Sequence, residues 1–152
     1  MKLSLRAIAA FTLVLALNSP HAAPPPGAGD LVVDISFYNS RIVGQTGALS
    51  GQVFRAIYAA TSPRTRVTDK NIVYAIPHDA SAPLYNSAQV DGNIVLIDRG
   101  FVEFDVQAAN AAAAGAAGII VVNNIGDPAV PSMQQTTGGT PPDVMISQND
   151  GD

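Results

Sequence analysis

Residues 93–124 read NIVLIDRGFVEFDVQAANAAAAGAAGIIVVNN, and this stretch decides the fold. Two continuous apolar runs, at 94–98 and 118–123, flank an alanine-rich segment at 103–114. The acids of that segment fall in its first turn, where they complement the dipole of a helix. A strand, a helix and a second strand within about 30 residues form a βαβ unit with parallel strands and a right-handed crossover. The sequence therefore predicts an α/β fold built on this unit.

Shorter β-rich segments precede this unit. Three segments share β-branched and aromatic residues bounded by turn signals, and each is predicted to be a strand. They are residues 31–38, 52–59 and 72–76. The glycines between the first two predict a loop or short hairpin, and the polar segment 61–70 predicts a solvated loop.

The C-terminal part begins with a long loop at 124–142 that is rich in Pro, Gly and Thr. Loops of this length are uncommon in compact domains and are often functional. A last strand is predicted at 143–146, and Ser147 with Asp150 resembles a capping box. A helix is thus expected to start where the chain ends, which predicts a domain whose C-terminal helix is truncated.

The N-terminus has the pattern of a secretory signal peptide over residues 1–22. Lys2 and Arg6 precede an apolar run at 7–17, which is shorter than the roughly 20 residues that span a bilayer. Residues 23–30, APPPGAGD, form a Pro/Gly linker before a domain at 31–152. We expect an exported protein, secreted or periplasmic, with no membrane anchor after signal removal.

The composition excludes several classes of catalytic and binding site. The 152 residues include no cysteine, which excludes disulfides, thiol catalysis and cysteine-ligated zinc. The net charge of −4 argues against electrostatic binding of nucleic acid. Once residues 1–22 are removed, His78 is the single histidine, and no serine lies in a G-x-S-x-G motif. We therefore expect no catalytic residue, no metal site and no cofactor.

Asp98-Arg99-Gly100 is the most informative local feature, because it follows a predicted strand of the parallel pair. The carboxyl ends of parallel strands are where α/β sheets bind ligands, so these residues could contact a substrate or partner. Alternatively, Arg99 has a structural role, either paired with Asp98 or capping carbonyl groups beside a tight glycine turn.

Residues 93–124 resemble the signature of the protease-associated (PA) domain family. The matching features are the strand ending in Arg99-Gly100, the aromatic Phe104, the helix with its Ala114-Gly115-Ala116 turn, the second strand, and Asn123-Asn124. Residues 144–147 with Asp150-Gly151 match the closing strand and helix start, so the core of the resemblance covers 93–152. Two positions depart from the family pattern: Val102, where many members have a cysteine, and Gln107, where a basic residue is common.

The resemblance implies a swivelling β/β/α domain without catalytic activity, of the kind attached to secreted peptidases, where it influences substrate access. We expect a protein-interaction or substrate-access module in the N-terminal part of a secreted peptidase. Its partner would be a protein or peptide, such as a substrate of the parent peptidase. The predicted contact residues are Arg99, Gly100, Met133, Gln134 and Gln135. Two alternatives stay open: a self-contained secreted hydrolase that uses His78, and a stand-alone binding module of the cell envelope.

Overall fold

The structure is a computed structural model that describes residues 31–34, 40–45, 47–126, 133–136 and 141–151. The predicted signal peptide at 1–22 and the linker at 23–30 lie outside the described residues. None of the described helices is both long enough and apolar enough to cross a membrane.

The described residues form eight strands and three short or medium helices. The strands are β1 Leu31–Asp34, β2 Ser40–Gly44, β3 Val53–Tyr58, β4 Val67–Lys70, β5 Ile72–Tyr74, β6 Ile94–Asp98, β7 Gly118–Val122 and β8 Asp143–Ile146. The helices are α1 Ser87–Val90, α2 Phe104–Ala113 and α3 Gln148–Gly151, and a 3₁₀ turn spans Gly47–Leu49.

The eight strands make one sheet in the order β4-β1-β2-β3-β8-β7-β6-β5. The first five strands in this order, β4-β1-β2-β3-β8, pair antiparallel with their neighbours. The last four, β8-β7-β6-β5, pair parallel. The sheet is curled, because a Cβ placed on Gly118 in β7 would lie 3.4 Å from Val67 Cγ2 in β4. The fold is therefore a mixed α/β fold, as the sequence predicts.

Two hydrophobic clusters make the core, one on each face of the parallel strands. The inner cluster lies within the curl and joins the two halves of the sheet, for example Phe54 of β3 with Leu96 of β6. The outer cluster lies between the parallel strands and α2 and includes Ile97 and Ala111. Alternate residues of a strand point to opposite faces, so a strand covered on both faces is apolar at every position. This explains the two continuous apolar runs.

The predicted βαβ unit is confirmed as β6, α2 and β7, with bounds that differ from the prediction by at most one residue. Helix α2 presents small side chains to the outer face, and Ala108, Ala111 and Ala114 are buried there. Their size lets the helix backbone lie close to the sheet. Glu103 adopts an extended conformation at the N-cap, and Asp105 lies in the first turn.

Of the loop or short hairpin predicted at the glycines, the structure has a hairpin, between β2 and β3. Strand β2 itself was not predicted. A Cβ on Gly44 would lie 1.9 Å from the carbonyl oxygen of Leu49, so only glycine fits at this approach. At the other end of the domain, α3 begins as predicted, and the Asp150 N–H donates to Ser147 Oγ at 3.1 Å.

The solvated loop predicted at 61–70 is wrong in its last four residues, which form β4. This strand lies at one edge of the sheet and pairs with β1. Val67 is buried, but Asp69 is exposed, so the strand shows little of the apolar pattern by which strands are recognised. Backbone pairing with a distant segment supplies the stability that its side chains do not.

Candidate functional site

The candidate site lies at the carboxyl edge of β5, β6 and β7, where three loops leave neighbouring parallel strands. Backbone hydrogen bonds join these loops. The Asp98 N–H donates to the His78 carbonyl at 2.9 Å, and the Arg99 N–H donates to the Val122 carbonyl at 2.9 Å. The loop after β5 and the last residue of β7 are thus each bound to the end of β6. Ligands of α/β proteins commonly bind at such an edge.

Arg99 is fixed by contacts from two directions. Its Nη1 donates to Asn123 Oδ1 at 2.9 Å, and its guanidinium carbon lies 5.5 Å from the centroid of the Phe104 ring. The Asn124 side chain donates to the Arg99 carbonyl at 2.8 Å. The side chain is half-buried. Arg99 therefore has a structural role in joining the two loops, and it also presents an oriented guanidinium at the edge.

Gly100 is needed because the loop after β5 approaches it closely. A Cβ at position 100 would lie 2.6 Å from Asp79 Cβ, a distance that requires one of the two loops to move. Gly100 offers no side chain for binding, so its contribution to the edge is to allow this close packing.

Replacing Gly100 by alanine is expected to reduce the free energy of unfolding by about 1–3 kcal/mol, the usual cost of overpacking. Urea unfolding followed by circular dichroism measures this loss. Gly118→Ala is the matched control, because its Cβ would meet Val67 at an ordinary contact distance of 3.4 Å. Equal stability of the two variants would contradict the close packing at Gly100.

The loop after β5 is held by amide side chains of α2. Gln107 Nε2 donates to the carbonyl oxygens of Asp79 at 2.8 Å and Asp98 at 3.0 Å. Asn110 Nδ2 donates to the Ala80 carbonyl at 2.8 Å. Gln107 is 1% exposed, and its Oε1 is buried without a hydrogen-bond partner. A neutral amide therefore bridges two loops where the family resemblance would place a basic residue.

His78 lies beside an aromatic side chain that in turn contacts an acidic one. Its ring stacks on Tyr74 with centroids 4.1 Å apart and planes inclined by 20°, and the Tyr74 hydroxyl donates to the Asp98 carboxylate. His78 itself is exposed. Within the described part of the chain, no serine or threonine hydroxyl hydrogen-bonds to its imidazole, so the geometry supplies no activated nucleophile beside it.

In the parts of the three loops that the structure describes, each loop exposes one large apolar side chain. Tyr85 follows β5 and is 81% exposed, Phe101 follows β6 and is fully exposed, and Ile125 follows β7 and is 59% exposed. Sequence reasoning missed all three. A signal was available for Phe101, because it directly follows the turn glycine at the end of a parallel strand.

The contact residues predicted from the sequence divide into two groups. Arg99 and Gly100 lie at the carboxyl edge, and Gln134 is exposed on the loop before β8. Met133, however, is completely buried in the outer cluster, and Gln135 is 6% exposed and donates to Asp143 Oδ2. The expectation that Met133 and Gln135 lie on the surface is therefore wrong. Met133 is a large apolar residue in an otherwise polar segment, and its burial completes the core.

Comparison with known proteins agrees with this architecture. A family model described as "PA domain" matches residues 67–152. Signal peptide peptidase-like 2 of Arabidopsis thaliana is 35% identical over 63 residues, which is 41% of this chain. The matched segment covers 11% of the length of that relative. Since the family model spans more than half of the chain and the structure has the expected βαβ unit, the chain belongs to the PA domain family.

Proposed function

We propose that this chain is a non-catalytic module that binds a protein or peptide through its carboxyl edge. The binding surface consists of Tyr85, Arg99, Phe101 and Ile125, and we refer to it as the carboxyl-edge surface. The observation that carries the proposal is the complete exposure of Phe101 at this edge.

Aromatic and arginine side chains are the residue types that contribute most to binding at protein interfaces. The Phe101 ring supplies a large apolar contact area, and the neighbouring Arg99 supplies a guanidinium for a carboxylate or carbonyl group. Apolar side chains on the two flanking loops would extend the contact on either side. This composition suits a partner that presents apolar side chains along an accessible backbone.

The loops that carry the surface are already fixed by hydrogen bonds. Asn124 and Asn123 hold Arg99, and Gln107 holds the backbone between β5 and β6. A surface that is ordered before binding loses less conformational entropy when a partner docks. The hydrogen bonds of the edge thus support binding without themselves contacting the partner.

The biological setting of the proposal is an exported protein with peptidase activity elsewhere in its chain or complex. The family is protease-associated, and the relative from Arabidopsis thaliana is named a peptidase-like protein. Modules of this family are typically accessory rather than catalytic. In this setting the carboxyl-edge surface would hold substrates of the parent peptidase. A secretory signal peptide at 1–22, as the sequence predicts, would direct the module to the periplasm or the medium.

The two alternatives are less well supported. A hydrolase that uses His78 requires a nucleophile beside the imidazole, and the described residues provide none there. A stand-alone envelope module would use the same carboxyl-edge surface, so it differs in its partner and not in its binding residues.

The test uses a phage library of random 12-residue peptides selected on the immobilised full chain. Synthetic, fluorescently labelled forms of the selected peptides are then titrated with variants and followed by anisotropy. Phe101→Ser is expected to weaken binding at least tenfold, because loss of an aromatic anchor removes most of the contact energy. Val53→Ser is the matched control, since Val53 is also exposed (51%) but lies on β3, and its affinity should stay within about twofold.

Selected peptides that bind the Phe101→Ser variant as tightly as the unsubstituted chain would overturn the assignment of this surface. A selection that enriches no peptide would overturn the proposed peptide partner. Far-ultraviolet circular dichroism of each variant verifies that the fold is intact.

A further inference from the structure

The segment 133–136 is held on the domain at both of its ends. At one end the Met133 side chain fills the outer cluster, and its carbonyl accepts a hydrogen bond from the Ala60 N–H at 3.1 Å. At the other end the Thr136 N–H and hydroxyl donate to Asp105 Oδ2 at 3.1 and 2.7 Å. The segment thus bridges the end of β3 and the first turn of α2.

The middle of the segment is held by a buried carboxyl group. Gln135 donates its side-chain amide to Asp143 Oδ2, and Thr61 Oγ1 donates to Gln135 Oε1 at 3.4 Å. Asp143 is 1% exposed, and its Oδ1 is buried without a hydrogen-bond partner. A neutral carboxyl group tolerates such a position far better than a carboxylate, because a buried charge needs full compensation.

Among the residues that the structure describes, no cation acts on Asp143 to supply this compensation. Its neighbours along the sheet, Ile119 of β7 and Ala59 after β3, are apolar, and the adjoining Ser62 is uncharged. The charged group that acts on it from α2 is Asp105, which has the same sign. Burial is the main reason that the pKa of Asp143 is raised. Asp105 raises it further, and hydrogen bonds from Ser62 and Gln135 lower it in part.

We propose that the protonation state of the Asp143 carboxyl group controls the attachment of the segment 133–136 to the domain. With the carboxyl group protonated, the segment stays on the domain. When the group ionises, the charge is relieved by detachment of the segment, which admits water to Asp143 and uncovers Met133. Neither step requires a partner at the carboxyl-edge surface, so this proposal stands independently of the proposed function.

The direction of the pH effect follows from the raised pKa in the closed form. A carboxyl group that binds its proton more tightly when the segment is closed stabilises the closed form at low pH. That stabilisation is fully present below the pKa of the open form and is lost as the pH rises through the raised pKa of the closed form. Acidic conditions therefore close the segment, and neutral conditions weaken its attachment.

Hydrogen–deuterium exchange of the full chain tests the proposal between pH 4.5 and 8. Protection of the backbone amides at 133–136, corrected for intrinsic exchange rates, is expected to fall with rising pH. One coupled proton limits the slope to about tenfold per pH unit. Asp143→Asn keeps a neutral side chain of the same shape and should abolish the slope. Asp91→Asn is the matched control, because Asp91 is exposed and its replacement should leave the slope unchanged.

The proposal is overturned if protection in the unsubstituted chain does not change with pH, or if Asp143→Asn retains the same slope. A second measurement avoids dependence on the folding of that variant. In the unsubstituted chain, the carboxyl ¹³C signal of Asp143 and the side-chain amide signal of Gln135 should titrate with one shared midpoint. Separate midpoints would contradict the proposed coupling between ionisation of Asp143 and attachment of the segment.

Discussion

Replacing Gln107 by glutamate is expected to lower the free energy of unfolding by about 3–5 kcal/mol at neutral pH, the range for an uncompensated buried charge. The substitution preserves the shape of the side chain but turns the donor of two hydrogen bonds into an acceptor. The new carboxylate would face the carbonyl oxygens of Asp79 and Asp98, which accept from Gln107 Nε2. Three acceptors without a proton between them repel one another, so the loops after β5 and β6 should separate.

The pH dependence of this variant identifies the cause. Burial among carbonyl groups raises the pKa of the introduced carboxyl group, so the part of the penalty that is due to charge is absent below the ordinary glutamate pKa and grows as the pH rises. A protonated glutamate can donate one of the two hydrogen bonds, and acid should therefore restore part of the stability. Urea unfolding at several pH values measures both effects.

Two further variants separate charge from the loss of hydrogen bonds. Gln107→Leu removes both bonds without adding a charge, and its cost should be about 1–3 kcal/mol and largely independent of pH. Ala109→Glu adds the same charge at an exposed position of α2 and should change stability by less than about 0.5 kcal/mol. If Gln107→Glu were as stable as Gln107→Leu at neutral pH, the predicted charge penalty would be refuted. If Gln107→Leu were as stable as the unsubstituted chain, the two carbonyl contacts would not contribute to stability.

The βαβ unit could be predicted from the sequence because its information is local. Strands β6 and β7 are covered on both faces, so each appears as an uninterrupted apolar run, and the alanine-rich helix lies between them. Strand β4 could not be predicted in this way. Its pairing with β1 depends on residues that are more than 30 positions away, and its side chains are largely polar.

In the candidate site, too, local features could be predicted from the sequence, whereas contacts between distant residues could not. Asp98-Arg99-Gly100 could be found because a polar tripeptide ends a buried strand. The contacts that fix Arg99 come from Asn123 and Phe104, and those that fix the neighbouring loop come from Gln107. These contacts depend on how the loops meet in three dimensions. The exposed fraction of a side chain also depends on the whole fold. For this reason the sequence did not reveal Phe101 as a surface residue and Met133 as a core residue.

Replacing Met133 by alanine is expected to destabilise the domain by about 2–5 kcal/mol, the usual cost of truncating a buried methionine. Met133 is completely buried in the outer cluster, together with Met145 of β8 and Ile97 of β6. Removing its side chain leaves a cavity between the parallel strands and the segment 133–136. The Met133 carbonyl still accepts a hydrogen bond from the Ala60 N–H, so the effect should arise from packing and not from the backbone.

Gln134→Ala distinguishes this role from one in partner contact. Gln134 is the exposed neighbour of Met133, so its truncation should change stability by less than about 0.5 kcal/mol. Thermal and urea unfolding of both variants measure the difference.

Peptides selected on the full chain provide the second comparison, since a core residue should leave the affinity of the folded fraction unchanged. A stable Met133→Ala variant with weakened peptide binding would place Met133 at the interface and would refute its role in the core. A destabilised variant with normal affinity would show that this loop contributes to function by completing the outer cluster, while the carboxyl-edge surface binds the partner.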